Sequence, residues 1–367
     1  MADTPPEPRD GPAIGAGRLL VRAAAAEVRA YRGLTVAIDD FFLPEDARLD
    51  ERTRSGLSTL LRGLVETVEG EVREHAVRLL HGRGESALVV ALNDPSSILA
   101  RLWQSGLLRD AELMAELISR VRQELMGAAL PMHAPDDPER PSLINRFVQH
   151  PDRVVAAGAM AVLIAESRRR GNPDAGQFTR TDLPAELHHR LVWWVAAALR
   201  ERVGESGDAL DQALSESAQR SLAAYDEGDR LEATAMRFAA AIDAQPRELP
   251  GLLVESLADR RIVLFIALLG HALGVTYALA RDIVLDSAAD RLWLALRALD
   301  LGREPIAQIG YALCEADPRR DLESFADMLE AITAVAPQAA REALAPLKLH
   351  PDYRAAVVAL ERSAKPE

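Results

Sequence analysis

LSTLLRGLVETVEGEVREHAVRL, residues 57–79, steps its apolar side chains by three and four: Leu57, Leu61, Leu64, Val68, Val72, His75 and Leu79. At about 3.6 residues per turn, that spacing lines one face of a helix and leaves the charged residues on the other. No window alternates apolar and polar residues as a half-buried strand would. Helical spacing instead recurs from about Arg18 to Arg362 in segments of roughly 10 to 25 residues. The expected fold class is all-α. Gly56, Gly63 and Gly70 recur every seven residues here. A glycine weakens a helix interior by about 1 kcal/mol relative to alanine, so the series points to close approach of a neighbouring backbone or to a break into shorter helices.

Composition agrees with a helical reading. The chain has 367 residues, 49% hydrophobic but only 4% aromatic, and Ala, Leu and Val dominate the apolar fraction. Small and straight-chain side chains suit closely spaced helices better than sandwiched sheets. The net charge is −13, and of 43 basic residues only Lys348 and Lys365 are lysine. An acidic total disfavours nonspecific binding to polyanions, so nucleic acid is an unexpected partner. Cys314, the single cysteine, can form no internal disulfide and no thiolate metal site, which fits a reducing, cytoplasmic setting. The opening MADTPPEPRDGP is acidic and proline-rich, with no secretory signal pattern, and reads as a disordered tail over residues 1–17.

Proline punctuates the helices. Pro44, Pro95, Pro151, Pro184, Pro250, Pro305, Pro318, Pro337 and Pro351 each precede an apolar helical pattern, as expected at the first helical position, where the missing N–H costs nothing. The triplets His150-Pro151-Asp152 and His350-Pro351-Asp352 therefore read as helix starts, with histidine near the N-cap and aspartate in the first turn. A J-domain co-chaperone also carries such a triplet, but between a basic helix and a longer loop. Neither flanks His150 here.

Start signals that recur imply units that recur. ADRRIVLFIALLGHALG (258–274) and ADRLWLALRALDLG (289–302) both open on Ala-Asp-Arg and close on Leu-Gly, about 30 residues apart, near the period of helical-hairpin arrays. FLPEDARLDERTR (42–54) and DLPAELHHRLVWW (182–194) both run Leu-Pro into an acidic turn. The expected architecture is stacked helical hairpins, an irregular HEAT-like α-solenoid. Breaks rich in Pro, Gly and Asp at 127–142, 171–182 and 203–208 divide it into an N-terminal block (18–130), a middle block (142–203) and a C-terminal block (207–363). Residues 262–280 carry no formal charge and approach the length of a membrane span. Gly274 as a helix stop and Thr276 as an N-cap favour two short buried helices, so no membrane span is expected.

The stretches at 40–80, 182–203 and 264–302 together resemble an uncharacterised alphaproteobacterial family of all-helical proteins with HEAT-like repeats, a domain of unknown function, over roughly residues 40–345. The resemblance implies an all-helical, cytoplasmic protein and brings no catalytic residues with it.

Chemistry-bearing patterns are sparse. Eight histidines include no HExxH pair, and the lone Glu-x-x-His at Glu186–His189 lacks the second motif and the further glutamates of a di-iron centre, so His188 and His189 read as solvated residues of a helix start. His75 falls on an apolar face and reads as a hydrogen-bonded core histidine. Cys314 reads as a small buried hydrophobe. No nucleophile elbow or phosphate loop occurs. No catalytic residue, metal ligand or cofactor is therefore expected. Arg168, Arg169 and Arg170 form a weak candidate anion contact for a nucleic-acid reading, against the simpler role of favouring a helix C-terminus.

Adjacent tryptophans supply the sharper candidate. Residues 100° apart on a helix cannot share one neighbour. Trp194 falls with Leu187, Leu191, Val195 and Ala198, the expected core side; Trp193 falls with His189, Arg190 and Arg200 on the polar side. Those four residues are the candidate partner interface, for another protein or a second copy, unless a neighbouring helix or a stacked arginine covers the ring. The expected function is a non-enzymatic interaction scaffold or regulatory adaptor, followed by a nucleic-acid-binding repeat protein and then by a helical enzyme with a dispersed site.

Overall fold

The computed structural model describes residues 48–131, 141–170, 180–204 and 207–350, with Asp352, Tyr353, Ala356, Val357 and Leu360 beyond them. The chain divides into two compact units, Met1–Glu51 and Arg52–Glu367, and only residues 48–51 of the first are described. The tail expected over 1–17 lies outside the described residues. Among those described there are helices, short 3-10 turns and no strand.

Helix α1, Glu51–Gly82, is unbroken. Its buried row follows the expected residues Leu57, Leu61, Leu64, Val68 and Val72, then continues by steps of four to Ala76 and Leu80. His75 consequently turns out of the core. It is half-buried, with an Arg78 guanidinium nitrogen 3.4 Å from Nδ1. Partial burial, together with Arg220 and Arg78, lowers its pKa.

After α1 come α2 (Ser86–Leu92), α3 (Leu99–Ser105), α4 (Ala111–Ala129), α5 (Leu143–Val148), α6 (Arg153–Arg170), α7 (Ala185–Val203) and α8 (Asp208–Ala224). Then follow α9 (Leu231–Ile242), α10 (Leu249–Ala258), α11 (Ile262–Leu273), α12 (Tyr277–Leu285), α13 (Asp290–Ala298), α14 (Arg303–Ala316), α15 (Leu322–Ala334) and α16 (Pro337–Leu344). Sequence neighbours pack in pairs: α5 on α6, α7 on α8, α10 on α11, α11 on α12, α14 on α15. Helix α9 lies against α6 and α11, and α4 reaches across the sequence to α11, α12 and α14. One apolar cluster runs from Met126 to Leu344, with Phe238, Phe265 and Leu296 fully enclosed.

The apolar run at 262–280 folds as expected into two helices. Helix α11 ends at Leu273, Gly274 takes φ +67°, and the Thr276 hydroxyl accepts from Leu279 N at 3.3 Å. The two helices meet at 115°, and no single described helix is long and apolar enough to cross a membrane. Cys314 is buried on α14, and burial pushes its thiol pKa up.

Polar caps move several starts past the prolines. Pro337 does open α16, and Pro250 lies at the second position of α10. Pro184, however, is itself the N-cap of α7. After Pro95 and Pro318 the helices begin four residues later, at Leu99, whose N–H meets Ser97, and at Leu322, where Asp321 caps. In the first triplet Asp152 stands at the cap, not in the first turn: its carboxylate accepts from Val154 N at 2.7 Å and its N–H donates to His150 Nδ1 at 3.2 Å. A short carboxylate that can reach two residues forward outcompetes proline for that position. Pro351 lies outside the described residues. The two Ala-Asp-Arg motifs also differ in role. At 258–260 the motif closes α10, with Arg260 at φ +57°, whereas Ala289, at φ +60°, caps α13.

The glycine series has no common cause. A Cβ on Gly56 would come within 2.8 Å of Val121 Cγ1, whereas one on Gly70 would meet nothing within 4 Å. On Gly310, in α14, it would overlap Cζ of Phe325, whose ring is buried against Trp293 at a centroid distance of 4.8 Å. Gly70→Ala is therefore expected to stabilise the protein by about 1 kcal/mol through helix propensity. Gly310→Ala is expected to destabilise it by about 2 kcal/mol, because overpacking exceeds the same propensity gain. Urea unfolding of both variants checks this pair of opposite signs.

Candidate functional site

Helix α7 presents its two tryptophans to different surroundings, but both are half-buried. Leu187, Leu191, Val195 and Ala198 are buried as expected; Trp194 beside them is only half-buried. Trp193 Nε1 donates to His189 Nε2 at 3.2 Å. Arg190 turns to Asp110, at 2.9 Å, and to Glu112, while Arg200 takes Asp211. The four candidate interface residues thus share a face, with both arginines engaged by carboxylates of this chain.

The arginine cluster separates. Arg168 is about half exposed, 3.7 Å from Asp229. Arg169 is buried, and the side chain of Arg170 lies outside the described residues. Arg169 bonds Asp182 through Nε and both Glu232 oxygens at 2.6 Å through Nη2. Its charge is spent inside the protein, which removes it from the surface that a phosphate could reach.

From Arg169 a chain of alternating charges runs through the interior. Glu232, first turn of α9, also lies 3.6 Å from Arg230; Arg230 lies 3.4 Å from Glu116 of α4; Glu116 takes both guanidinium nitrogens of Arg281, on α12, at 2.6 and 3.2 Å. With Asp182 on the other side of Arg169, three acids and three arginines alternate from Asp182 to Arg281, so the desolvated charges balance. Burial alone would raise the Glu232 carboxyl, but Arg169 and Arg230 outweigh it and hold it well below the usual range. Burial likewise lowers Arg169, and Glu232 with Asp182 more than reverses it. Asp182 joins three segments at once. Its Oδ1 accepts from Leu231 N at 3.2 Å, capping α9 from outside, and its carbonyl accepts from Arg230 Nε at 3.3 Å. These bonds hold its backbone at φ +55°.

Beside the chain opens a cavity of about 610 Å³, lined among others by Arg120, Glu124, Glu166, Arg169, Asp259 and Arg261. Arg120 is 1% exposed; its Nε donates to Glu124 at 3.1 Å and its Nη1 to the Thr181 carbonyl at 3.0 Å. Arg261 pairs with Glu166, and Asp259 accepts from Leu143 N. The lining charges are engaged with one another and with the backbone, an arrangement that ties helices together.

His188 departs from the expected solvated helix start. It is 3% exposed, stacked on Tyr225 at 3.9 Å, with Nδ1 2.9 Å from Thr181 Oγ1 and Nε2 buried without a partner. Burial, with a smaller contribution from His189, lowers its pKa to about 4. His189 and Glu186 are exposed.

The interior charges leave a trace in the sequence. Arg120 follows Leu113 and Leu117 on the apolar row of α4, and Arg281 stands four residues after Tyr277 on that of α12. A charged residue on a buried row needs a partner: Arg120 finds Glu124 one turn on and the Thr181 carbonyl 61 residues away, whereas Glu116, the partner of Arg281, lies 165 residues back.

A face of α6 is open. Val154 is 68% exposed, and Met160 and Ile164 are each 45% exposed, with Ala157 exposed between them. The opposite face, Val155, Ala159, Val162 and Ala165, is buried towards α5 and α9. Hydrophobic periodicity is weak along α6 for this reason: apolar residues occupy both sides.

No curated protein and no solved structure matches the chain. A model of a bacterial family does match, over residues 137–344, which takes in α5 to α16 and with them Arg169, Asp182, Glu232 and the open face of α6. The chain belongs to that family, DUF2336, described as an uncharacterised protein conserved in bacteria.

Proposed function

We propose that the protein is a non-enzymatic interaction module, a cytoplasmic scaffold or regulatory adaptor. Its consecutive helix pairs stack in an irregular HEAT-like manner and offer helix faces to a partner. The observation that carries this reading is the open face of α6, where Val154, Met160 and Ile164 stand exposed on a helix whose other side is fully packed. Exposed apolar residues grouped on one rigid element favour association with another macromolecule. The interior arginines and carboxylates support the same reading, because they bond to one another and so serve cohesion. Trp193 is a second candidate contact, half-buried and held by His189.

Affinity purification from the native bacterium, with quantitative mass spectrometry, tests the proposal. Tagged wild-type protein is compared with a Met160→Asp/Ile164→Asp variant. The expected result is a roughly tenfold lower recovery of at least one protein, equivalent to about 1.4 kcal/mol, at unchanged melting temperature. An identical set of captured proteins, or reproducible turnover by the purified chain, would overturn it.

A further inference from the structure

Two arginines bracket the open face of α6. Counting 100° per residue, Arg153, Ala157, Met160, Ile164 and Arg168 fall within one quarter of the helix circumference, with Val154 at its edge. Both arginines are exposed, Arg168 touching Asp229 only at 3.7 Å. They stand about 22 Å apart along the axis, at 1.5 Å per residue. An apolar strip with a cation at each end is therefore presented by a chain whose net charge is −13.

From this complementarity we infer that the face receives an acidic amphipathic helix of another protein, with an apolar side laid on Ala157, Met160 and Ile164 and a carboxylate near each end meeting Arg153 and Arg168. The inference rests on the interaction reading above and names the chemistry of the partner. A second copy fits poorly. Antiparallel pairing of two α6 helices centred on the strip sets Arg153 against Arg168 at both ends, and parallel pairing sets each arginine against itself. An anionic bilayer fits poorly too, since two basic groups offer little attraction to a chain this acidic. A helix laid on an apolar strip needs only about four turns to span both arginines.

The test uses the full chain and two labelled 18-residue helical peptides, identical except at positions 2 and 16, with leucine at positions 5, 9 and 12. One carries glutamate at the two variable positions and the other lysine. Fluorescence anisotropy is expected to give at least roughly tenfold tighter binding of the glutamate peptide, falling steeply with salt. The preference is expected to reverse in an Arg153→Glu/Arg168→Glu variant of unchanged melting temperature. Equal binding of the two peptides, or a preference unmoved by charge reversal, overturns the inference. So does a wild-type dimer in sedimentation that the Met160→Asp/Ile164→Asp variant lacks, or co-sedimentation with phosphatidylserine vesicles that charge reversal abolishes. If the native partner is lost in the Met160→Asp/Ile164→Asp variant yet kept after charge reversal, the interaction reading stands and the acidic-helix assignment falls.

Discussion

Replacing Glu232 with glutamine is expected to destabilise the protein by about 3–5 kcal/mol, the usual cost of removing one member of a buried charge pair. The amide fills the same space, so packing is preserved and the loss is electrostatic. Arg169, 7% exposed at its side chain, keeps Asp182 as its direct ion-pair partner with Glu124 farther off, and Arg230 loses one of its acidic neighbours. The effect should be strongly non-additive. In an Arg169→Met/Glu232→Met double variant both members of that pair are gone, Asp182 keeps the Leu231 N–H and Arg230 keeps Glu116, and the loss should be below the sum of the Arg169→Met and Glu232→Met single losses. Urea unfolding of the two singles and the double measures the coupling. Additive losses would mean that the two side chains act independently and that the alternating chain from Asp182 to Arg281 is not a unit.

The second large effect depends on pH. The His188 imidazole has a folded pKa of about 4 against an ordinary value of 6.5, because it is buried, with Nε2 unpartnered and Tyr225 stacked on its face. Between those values the unfolded chain binds a proton that the folded chain refuses, so stability rises with pH there. The contribution is fully present above about pH 6.5 and is lost as pH falls towards 4, about 3 kcal/mol in all and about 2 kcal/mol between pH 7 and pH 5. His188→Gln, which does not titrate, should lose that much less over the same interval. Carboxylates titrate in both proteins and cancel in the comparison. Parallel stability curves for wild type and variant would show that the imidazole is not desolvated in solution.

The two predictions mark different depths of legibility. Residues 57–79 were readable as a helix because the apolar period is local: Leu57 to Val72 need only about 3.6 residues per turn to share a face. The division of 262–280 at Gly274 and Thr276 was readable for the same reason, since both signals act on their own backbone. His188 was misread as solvated. Val192, Val195 and Leu199, four, seven and eleven residues on, place it on the buried row of α7, but nothing local reveals that Tyr225, nearly 40 residues on, stacks over it.

What the sequence determined by itself was the fold class, the position of the long helices, the stop and cap inside the apolar run and the buried state of Cys314. All of these follow from forces that act within a few residues: hydrogen bonds to the fourth residue back, capping, and the period of apolar side chains. Only the tertiary structure decided that α4 packs on α11, α12 and α14, that Arg169 turns inward to Asp182 and Glu232 instead of outward to an anion, and that α6 keeps an apolar face open between Arg153 and Arg168. A charge on a helix carries no local mark of the partner that will neutralise it. That partner is set by which distant segments meet, and helix faces of similar composition become core or surface according to whether another helix reaches them.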